Sequence, residues 1–380
     1  MITVACLALA AWIYLIAFHG LFWRSTPVLA DAVPSGQARV AIVVPARDEA
    51  ESIRQCLNSL LAQDYAGPLS VILVDDNSSD GTGQIASSLA ASLRAGERLT
   101  VLSGQPLPPR WSGKLWAVHQ GLAHPAAQAA DYVLLTDADI VHAPDHLSRL
   151  IAKAESERLD LVSEMVRLNC STFAERALIP AFVFFFQMLY PFAWVANPAR
   201  RTAGAAGGTM LVSRAALDRI DGVTRIRHHL IDDCALAKEV KSTGGRIWLG
   251  HSEDTISLRV YPAPRDIWSI IARTAYVQLN HSPLLLLGCI LAMSVIYCAP
   301  PLLALTANGL ARLLALLAWL LMALAFQPTL RRYRSSPAWG LALPLVGLFY
   351  LCATVGSAIR HHAGRGGGWK NRVYPEHPHA

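Results

Sequence analysis

Residues 39–78 read RVAIVVPARDEAESIRQCLNSLLAQDYAGPLSVILVDDNS, and the fold turns on this stretch. Arg39 to Val44 is a short apolar run rich in β-branched residues, which predicts a strand. From Glu49 to Ala62 the period changes, with Ile53, Leu57, Leu60 and Leu61 at helical spacing. Leu69 to Val74 is again strand-like and stops at Asp75-Asp76-Asn77-Ser78, a turn-forming cluster. Strand, helix, strand in this order opens an α/β domain with a largely parallel sheet, since parallel neighbours need a crossover and a helix supplies it. The rhythm continues with a helix from about Thr82 to Leu93, a strand near Leu99 to Leu102, a Pro-rich loop from Pro106 to Arg110 and a helix from Lys114. A strand at Tyr132 to Leu135 then ends in Thr136-Asp137-Ala138-Asp139. No GxGxxG follows the first strand, so a nicotinamide or flavin site has little support.

On either side of this region the composition changes. The chain has 380 residues, 53% of them hydrophobic and 16% charged, too apolar for an ordinary soluble domain and too polar to lie wholly in a membrane. Ile2 to Trp23, Pro283 to Leu305 and Ala338 to Ile359 contain no Asp, Glu, Lys or Arg and are long enough to span a bilayer. Leu310 to Gln327 is a fourth candidate, interrupted only by Arg312. Val28-Leu29-Ala30 resembles a signal-peptidase site, but an uncleaved anchor fits better. Arg24, Arg39 and Arg47 follow the first run and no basic residue precedes it, which places the body of the protein in the cytosol. Ala177 to Ala199 is free of charge, broken by Pro180, Pro191 and Pro198 and rich in aromatics. This favours a helix lying in the membrane interface over a straight span, with a buried core helix as the alternative. The seven cysteines form no CxxC pair, which argues against disulfides and structural zinc.

The formal charge of +6 sits at the back of the chain: after His281 the sole acid is Glu376, against eight Arg and Lys. That distribution suits anionic lipid headgroups and gives no case for nucleic acid. The expected organisation is an anchor over 1–24, a catalytic α/β domain over 38–280 with interfacial helices at 177–199 and 264–279, transmembrane helices over 281–360 and a basic tail over 361–380. The glycine run Gly364 to Gly368 reads as a joint.

Acids at strand ends carry the candidate chemistry, because open α/β sheets bind ligands beyond the carboxyl edge of their strands. Asp75 and Asp76 are suited to accept hydrogen bonds from a base or ribose, although DDNSSDGT also reads as a turn and helix cap. Asp137 and Asp139 can face one pocket and hold a hard divalent ion, although an isolated DxD is more often a capped strand end. Asp232-Asp233, opening a helix that runs to Lys241, supplies either a general base or a favourable charge at the helix dipole. Lys114 and Arg47 are candidate phosphate contacts, with surface solvation as the bland reading. Gly207-Gly208-Thr209 permits close backbone approach. His228 and His229 are more simply structural.

In this order VVPARDE, VDDNSSDGT, SGK, TDAD, AGGTMLVSR and DD resemble the signature of family 2 glycosyltransferases with the GT-A fold, over about residues 39 to 280. One helix before the domain and several after it are similar to the ceramide glucosyltransferase type. PLPPRWSGK, IDD and RTAYVQLNHSP look most like the hopene-associated bacterial glycosyltransferases. The resemblance implies a nucleotide-diphospho-sugar transferase domain that transfers one sugar, with inversion, from a UDP-sugar to a membrane lipid, hopanoid-related by the last likeness, at the cytosolic face of a bacterial inner membrane. By the same resemblance Pro45, Arg47, Asp48, Glu49, Asp75 and Asp76 belong to the nucleotide-sugar pocket. Lys114 approaches the uridine or phosphates, Asp137 the ribose side, and Asp139 the Mg²⁺ or Mn²⁺. Asp233, with Asp232 beside it, takes the acceptor proton, and Gly207, Gly208 and Thr209 face the acceptor. The chain departs from the Q-x-x-R-W of polysaccharide synthases, with Ile270-Ile271-Ala272-Arg273-Thr274 in its place; Arg273 remains a diphosphate contact and the missing Trp argues against processive synthesis. A polyprenyl-phosphate acceptor, or a non-catalytic nucleotide-sugar-binding membrane protein, are the competing readings.

Overall fold

In a computed structural model of the chain, the described residues are 1–32, 34, 36–92, 98–364, 368–369 and 372–373. Along the chain α1 (Ile2–Ala17) precedes β1 (Val40–Ala46), α2 (Ile53–Leu61), β2 (Leu69–Asp75), α3 (Thr82–Ser92) and β3 (Leu99–Ser103). Then come α4 (Gly113–Leu122), the short α5 (Pro125–Gln128), β4 (Tyr132–Thr136), β5 (Ile140–Val141), α6 (His146–Glu157) and β6 (Leu161–Arg167). The paired helices α7 (Phe173–Leu189) and α8 (Phe192–Ala196) separate β6 from β7 (Thr209–Ser213), which is followed by α9 (Arg214–Arg219), α10 (Asp232–Ser242) and β8 (Ile247–Ser257). Then follow the helices α11 (Pro264–Gln278), α12 (Pro283–Met293), α13 (Ala299–Thr306), α14 (Gly309–Arg332) and α15 (Trp339–His362), and after them a small antiparallel pair, β9 (Gly368–Trp369) with β10 (Arg372–Val373). Most of the basic tail and the glycine joint lies outside the described residues.

Every residue of β1 is buried, as expected of a Val/Ile run covered on both sheet faces. It pairs in parallel with β2 and β4, with Ala46 opposite Asp75 and Val43 opposite Leu135. The carboxyl ends of these three strands therefore share one edge, where ligands of open α/β sheets bind. The full order is β3-β2-β1-β4-β7-β6-β8-β5. The sheet is largely parallel, as expected, with two exceptions: β7 runs antiparallel to β4 and β6, and β5 antiparallel to β8. After β6 the chain travels out through α7 and α8 and re-enters at the same carboxyl edge, which is what reverses β7. Thr209 thereby pairs with Thr136, and Gly207-Gly208 arrives at the edge where Asp137 stands.

One apolar cluster covers the face that carries α4 and continues into the later helices, joining Trp12, Val43, Leu115, Phe184, Phe326 and Tyr350. The other face packs Ile42, Val44, Leu57, Leu73, Ile151 and Trp248. Among the described residues four helical segments are long and apolar enough to cross a membrane by length and composition: Phe173–Ala196, Pro283–Thr306, Gly309–Arg332 and Trp339–His362. The run from Leu310 to Gln327 is thus part of a 24-residue helix despite Arg312. The 177–199 segment begins earlier, at Phe173, breaks at Pro191 and has Leu178, Ile179, Ala181, Val183 and Phe184 buried.

The first apolar run is shorter than its composition predicts. Its helix stops at Ala17 and spans 16 residues, about 24 Å at 1.5 Å per residue against roughly 30 Å of bilayer hydrocarbon. Phe18 caps the helix, and three residues past its end Gly20 takes φ +63°, where a Cβ would meet Pro191 at 2.6 Å. The chain turns beneath α8 instead of extending to Trp23.

Candidate active site

Ser112 caps α4 by accepting a hydrogen bond from the Leu115 amide at 3.4 Å, which sets Lys114 in the first turn. Lys114 Nζ lies 2.9 Å from Asp137 Oδ1 and 3.0 Å from Asp232 Oδ2. The Gly207 amide donates to Asp233 Oδ2 at 2.9 Å, and the Cys234 amide donates to Asp233 Oδ1 at 2.7 Å. A Cβ on Gly207 would stand 3.4 Å from Lys114 Nζ, 3.5 Å from Asp233 Oδ2 and 3.8 Å from Asp137 Oδ2. Glycine therefore keeps open the space on which one cation and two carboxylates converge. Burial, and the like charge of Asp232, push the Asp233 carboxyl up to about 6, with Lys114 pulling the other way. Burial also raises Asp137 despite the lysine beside it. Burial alone would lower Lys114, but Asp137 and Asp232 outweigh it and hold the ammonium charged.

Asp139 is held by a residue the sequence reading passed over. Arg259, two residues beyond β8, places Nε 3.0 Å from Asp139 Oδ2 and Nη2 2.6 Å from Glu49 Oε1. Ser257 Oγ donates to the same Asp139 oxygen at 3.2 Å. Burial works against the guanidinium charge, and Asp139 with Glu49 more than restores it. The only sequence signal for Arg259 was a basic residue just past a strand end, facing acids far away in the chain.

Both clusters open into one cleft of about 410 Å³. Its polar wall includes Pro45, Glu49, Lys114, Asp137, Asp139, Gly207, Gly208, Asp232, Asp233 and Arg273. Apolar side chains line the cleft as well: Met165, Val166, Leu168, Phe182, Phe186 and Ile270. Other candidates lie behind this surface. Arg47 Nη1 bonds the Asp76 carbonyl and sits 3.6 Å from its carboxylate, and Asp76 is fully buried. Asp48 Oδ1 accepts from the Ser79 amide at 2.8 Å and stitches the loop after β1 to the loop after β2, while Asp75 Oδ1 accepts from the Ser78 amide at 3.1 Å within the turn that leaves β2. Thr209 is buried within β7. His229 lines the cleft and stacks on His228 with ring centroids 4.4 Å apart.

A second unpredicted feature backs the edge. Thr136 Oγ1 donates to the Gly208 carbonyl at 2.7 Å and lies 2.9 Å from His142 Nε2. His142 Nδ1 meets His146 Nδ1 at 2.8 Å, and His146 Nε2 meets Glu164 Oε2 at 2.6 Å. All four side chains are buried, and the chain of contacts ties the residue before Asp137 to the residue after Gly207.

Among the described residues no three His, Cys, Asp or Glu side chains converge as a self-sufficient metal site. Mg²⁺ and Mn²⁺ at a nucleotide need fewer, because phosphates and water complete the shell. Asp137 and Asp139, oxygen donors on one cleft wall, fit that chemistry.

A model of the family described as Glycosyl transferase family 2 matches residues 41–221. The undecaprenyl-phosphate 4-deoxy-4-formamido-L-arabinose transferase of Salmonella paratyphi A is 29% identical over 141 residues, 37% of this chain and 39% of the relative. The 4,4'-diaponeurosporenoate glycosyltransferase of Staphylococcus aureus is 28% identical over 120 residues, 32% of this chain and 29% of that protein. The matched part thus spans about two fifths or less of the length of these relatives. Among solved structures, the mannosyltransferase PcManGT from Pyrobaculum calidifontis, in complex with GDP-Man and Mn²⁺, superposes with a TM-score of 0.62 at 19% identity, over 95% of this chain and 98% of that one. The likeness extends the shared fold across the sheet and the later helices alike.

Proposed function

We propose that residues 41–221, which the family 2 glycosyl transferase model matches, make this protein a glycosyltransferase, and that it moves a single sugar from a UDP-sugar to the hydroxyl of a membrane lipid, with inversion at the anomeric carbon. One observation carries this reading: a half-buried carboxyl with a raised pKa, Asp233, stands in a cleft to which α7 and α11 contribute apolar side chains. An acid tuned close to working pH suits a base that takes a hydroxyl proton, and an apolar lining suits a lipid.

In this reading the lipid oxygen attacks the anomeric carbon, the bond from that carbon to the diphosphate breaks, and the hydroxyl proton passes to Asp233 Oδ2. Lys114, shared between Asp137 and Asp232, shifts toward the departing diphosphate, and Arg273 meets it from α11. Arg259 holds Asp139 and Glu49 in place for the donor. A divalent ion, when held by Asp139 and Asp137, supplies charge neutralisation at the diphosphate. Asp48, Asp75, Asp76 and Arg47 shape the nucleoside end as loop braces. Gly207 and Gly208 leave room on the acceptor side.

A polyprenyl-phosphate acceptor is the second reading, favoured by the name of the Salmonella relative. Asp233→Asn separates the two, because a phosphate is already anionic and needs no base. With a hydroxyl acceptor the variant is expected to lose about 10²–10⁴-fold in rate, measured as glycolipid formed per nucleotide released. Retention of the full rate overturns the hydroxyl assignment. A hopanoid-type acceptor is supported by the PLPPRWSGK and RTAYVQLNHSP resemblance, and cytosolic placement at a bacterial inner membrane by the basic residues after α1. Comparing lipids from cells carrying the intact gene or Asp139→Ala tests the acceptor, through the glycolipid that disappears.

A further inference from the structure

A second cavity, about 380 Å³ and sharing no lining residue with the cleft, collects Arg24, Arg167, Arg331, Arg332 and Arg334. These arginines come from the segment after α1, the end of β6 and the last turn and exit of α14. Two acids, Glu253 and Asp254, share the cavity. Glu253 sits 3.8 Å from Arg332, while Asp254 lies 3.7 Å from Arg149, outside the cavity. Cations therefore exceed acids, and the excess is built in: Arg332 is fixed by Nε to Ser25 Oγ and Nη2 to the Ser25 carbonyl, each at 2.9 Å.

The cavity's position indicates what neutralises it. α1 and α14 pack in the same direction, with Ala5 beside Ala311 and Ala315 at one end. Near the other end Phe184 bridges Phe22 and Phe326, with ring centroids 5.1 Å apart in both pairs. Just beyond that aromatic layer both elements turn basic, at Arg24 and at Arg331 and Arg332. An arginine basket where two packed apolar elements end lies at the depth of a bilayer's phosphate layer. Guanidinium groups are matched to phosphate through paired N–H donors.

We propose that this basket binds the phosphate of an anionic phospholipid headgroup, seating the protein on its membrane at a site separate from the catalytic cleft. The test uses the full chain in nanodiscs of phosphatidylcholine doped with phosphatidylglycerol, with retained lipid counted by native mass spectrometry after release into detergent. Wild type is expected to keep phosphatidylglycerol at least tenfold over phosphatidylcholine. Arg331→Gln combined with Arg334→Gln is expected to abolish that preference. Arg54→Gln combined with Arg201→Gln removes equal charge from exposed positions elsewhere and is expected to preserve it. Thermal unfolding of all three proteins checks folding, and Arg331→Lys with Arg334→Lys, which keeps the charge, is expected to restore part of the preference. Equal retention by wild type and the glutamine pair overturns the proposal. So does displacement of the bound lipid by millimolar inorganic phosphate, which would make the basket a free-phosphate site.

Discussion

Asp233 faces two opposed demands. As the proposed base it must be ionised, so kcat/KM is expected to fall about tenfold per pH unit below about 6, the value to which desolvation and Asp232 raise it. As a half-buried group beside another acid it resists ionising. Its proton is held more tightly in the folded chain than in the unfolded one, where 3.8 is typical, so its ionisation erodes native stability as pH rises from about 4 through 6. Asp233→Asn is therefore expected to unfold at a higher temperature than wild type at pH 8, with the gap closing at pH 4; a variant less stable at both values would refute the assignment of strain to this carboxyl. Arg259 shows the opposite case, a partly exposed cation on which Asp139 and Glu49 both depend. Arg259→Leu is expected to cost about 1–3 kcal/mol in chemical denaturation and to raise KM for the donor more than it lowers kcat. Lys114, Asp137, Asp232 and Asp233 stood out in the sequence because each follows a strand or starts a helix, Gly207 because it permits close backbone approach, and the structure gathers them. Arg259 did not, because its partners lie 120 and 210 positions away and no local pattern links them.

Helix α7 ties the catalytic edge to the apolar helices, and its start is set by a capping box. Thr172 Oγ1 accepts from the Glu175 amide at 3.1 Å, while Glu175 Oε2 accepts from the Thr172 and Ser171 amides at 2.9 Å each. Glu175 also accepts, through Oε1, from the amide of Tyr261 at 2.7 Å, in the linker that follows Arg259. Thr172→Ala is expected to cost about 1 kcal/mol. Glu175→Ala strands buried amides on two elements and is expected to cost about 1–3 kcal/mol for each donor left unpaired, read as a drop in the unfolding midpoint. The STFAE signal for this box was present in the sequence, yet the reading began at Ala177 by following the charge-free run. The early end of α1 was harder to see, since Gly20 is forced by contact with Pro191, not by its neighbours. The reversed β7 was illegible for a deeper reason: side-chain alternation marks a strand and says nothing about its direction.

The chain does not divide cleanly into a soluble enzyme and an anchor. Residues of β1, α4, α7, α14 and α15 share a single apolar cluster, with Phe185 and Tyr350 rings 4.8 Å apart and the Tyr350 hydroxyl bonded to the Leu178 carbonyl at 2.9 Å. A fragment of residues 38–280 is therefore expected to aggregate on gel filtration, while the full chain stays with membranes through a carbonate wash. Composition announced the apolar helices, but not that the α/β region would lend them part of its interior. The excursion through α7 between β6 and β7 also orders events during synthesis. A ribosome delivers α7 before it has made β7, the strand that joins β4 to β6, and long before Phe326 and Tyr350 exist to cover it. For that interval the nascent chain carries an incomplete sheet and a naked greasy helix, which lipid or a chaperone has to shelter until translation reaches the last turns of α15.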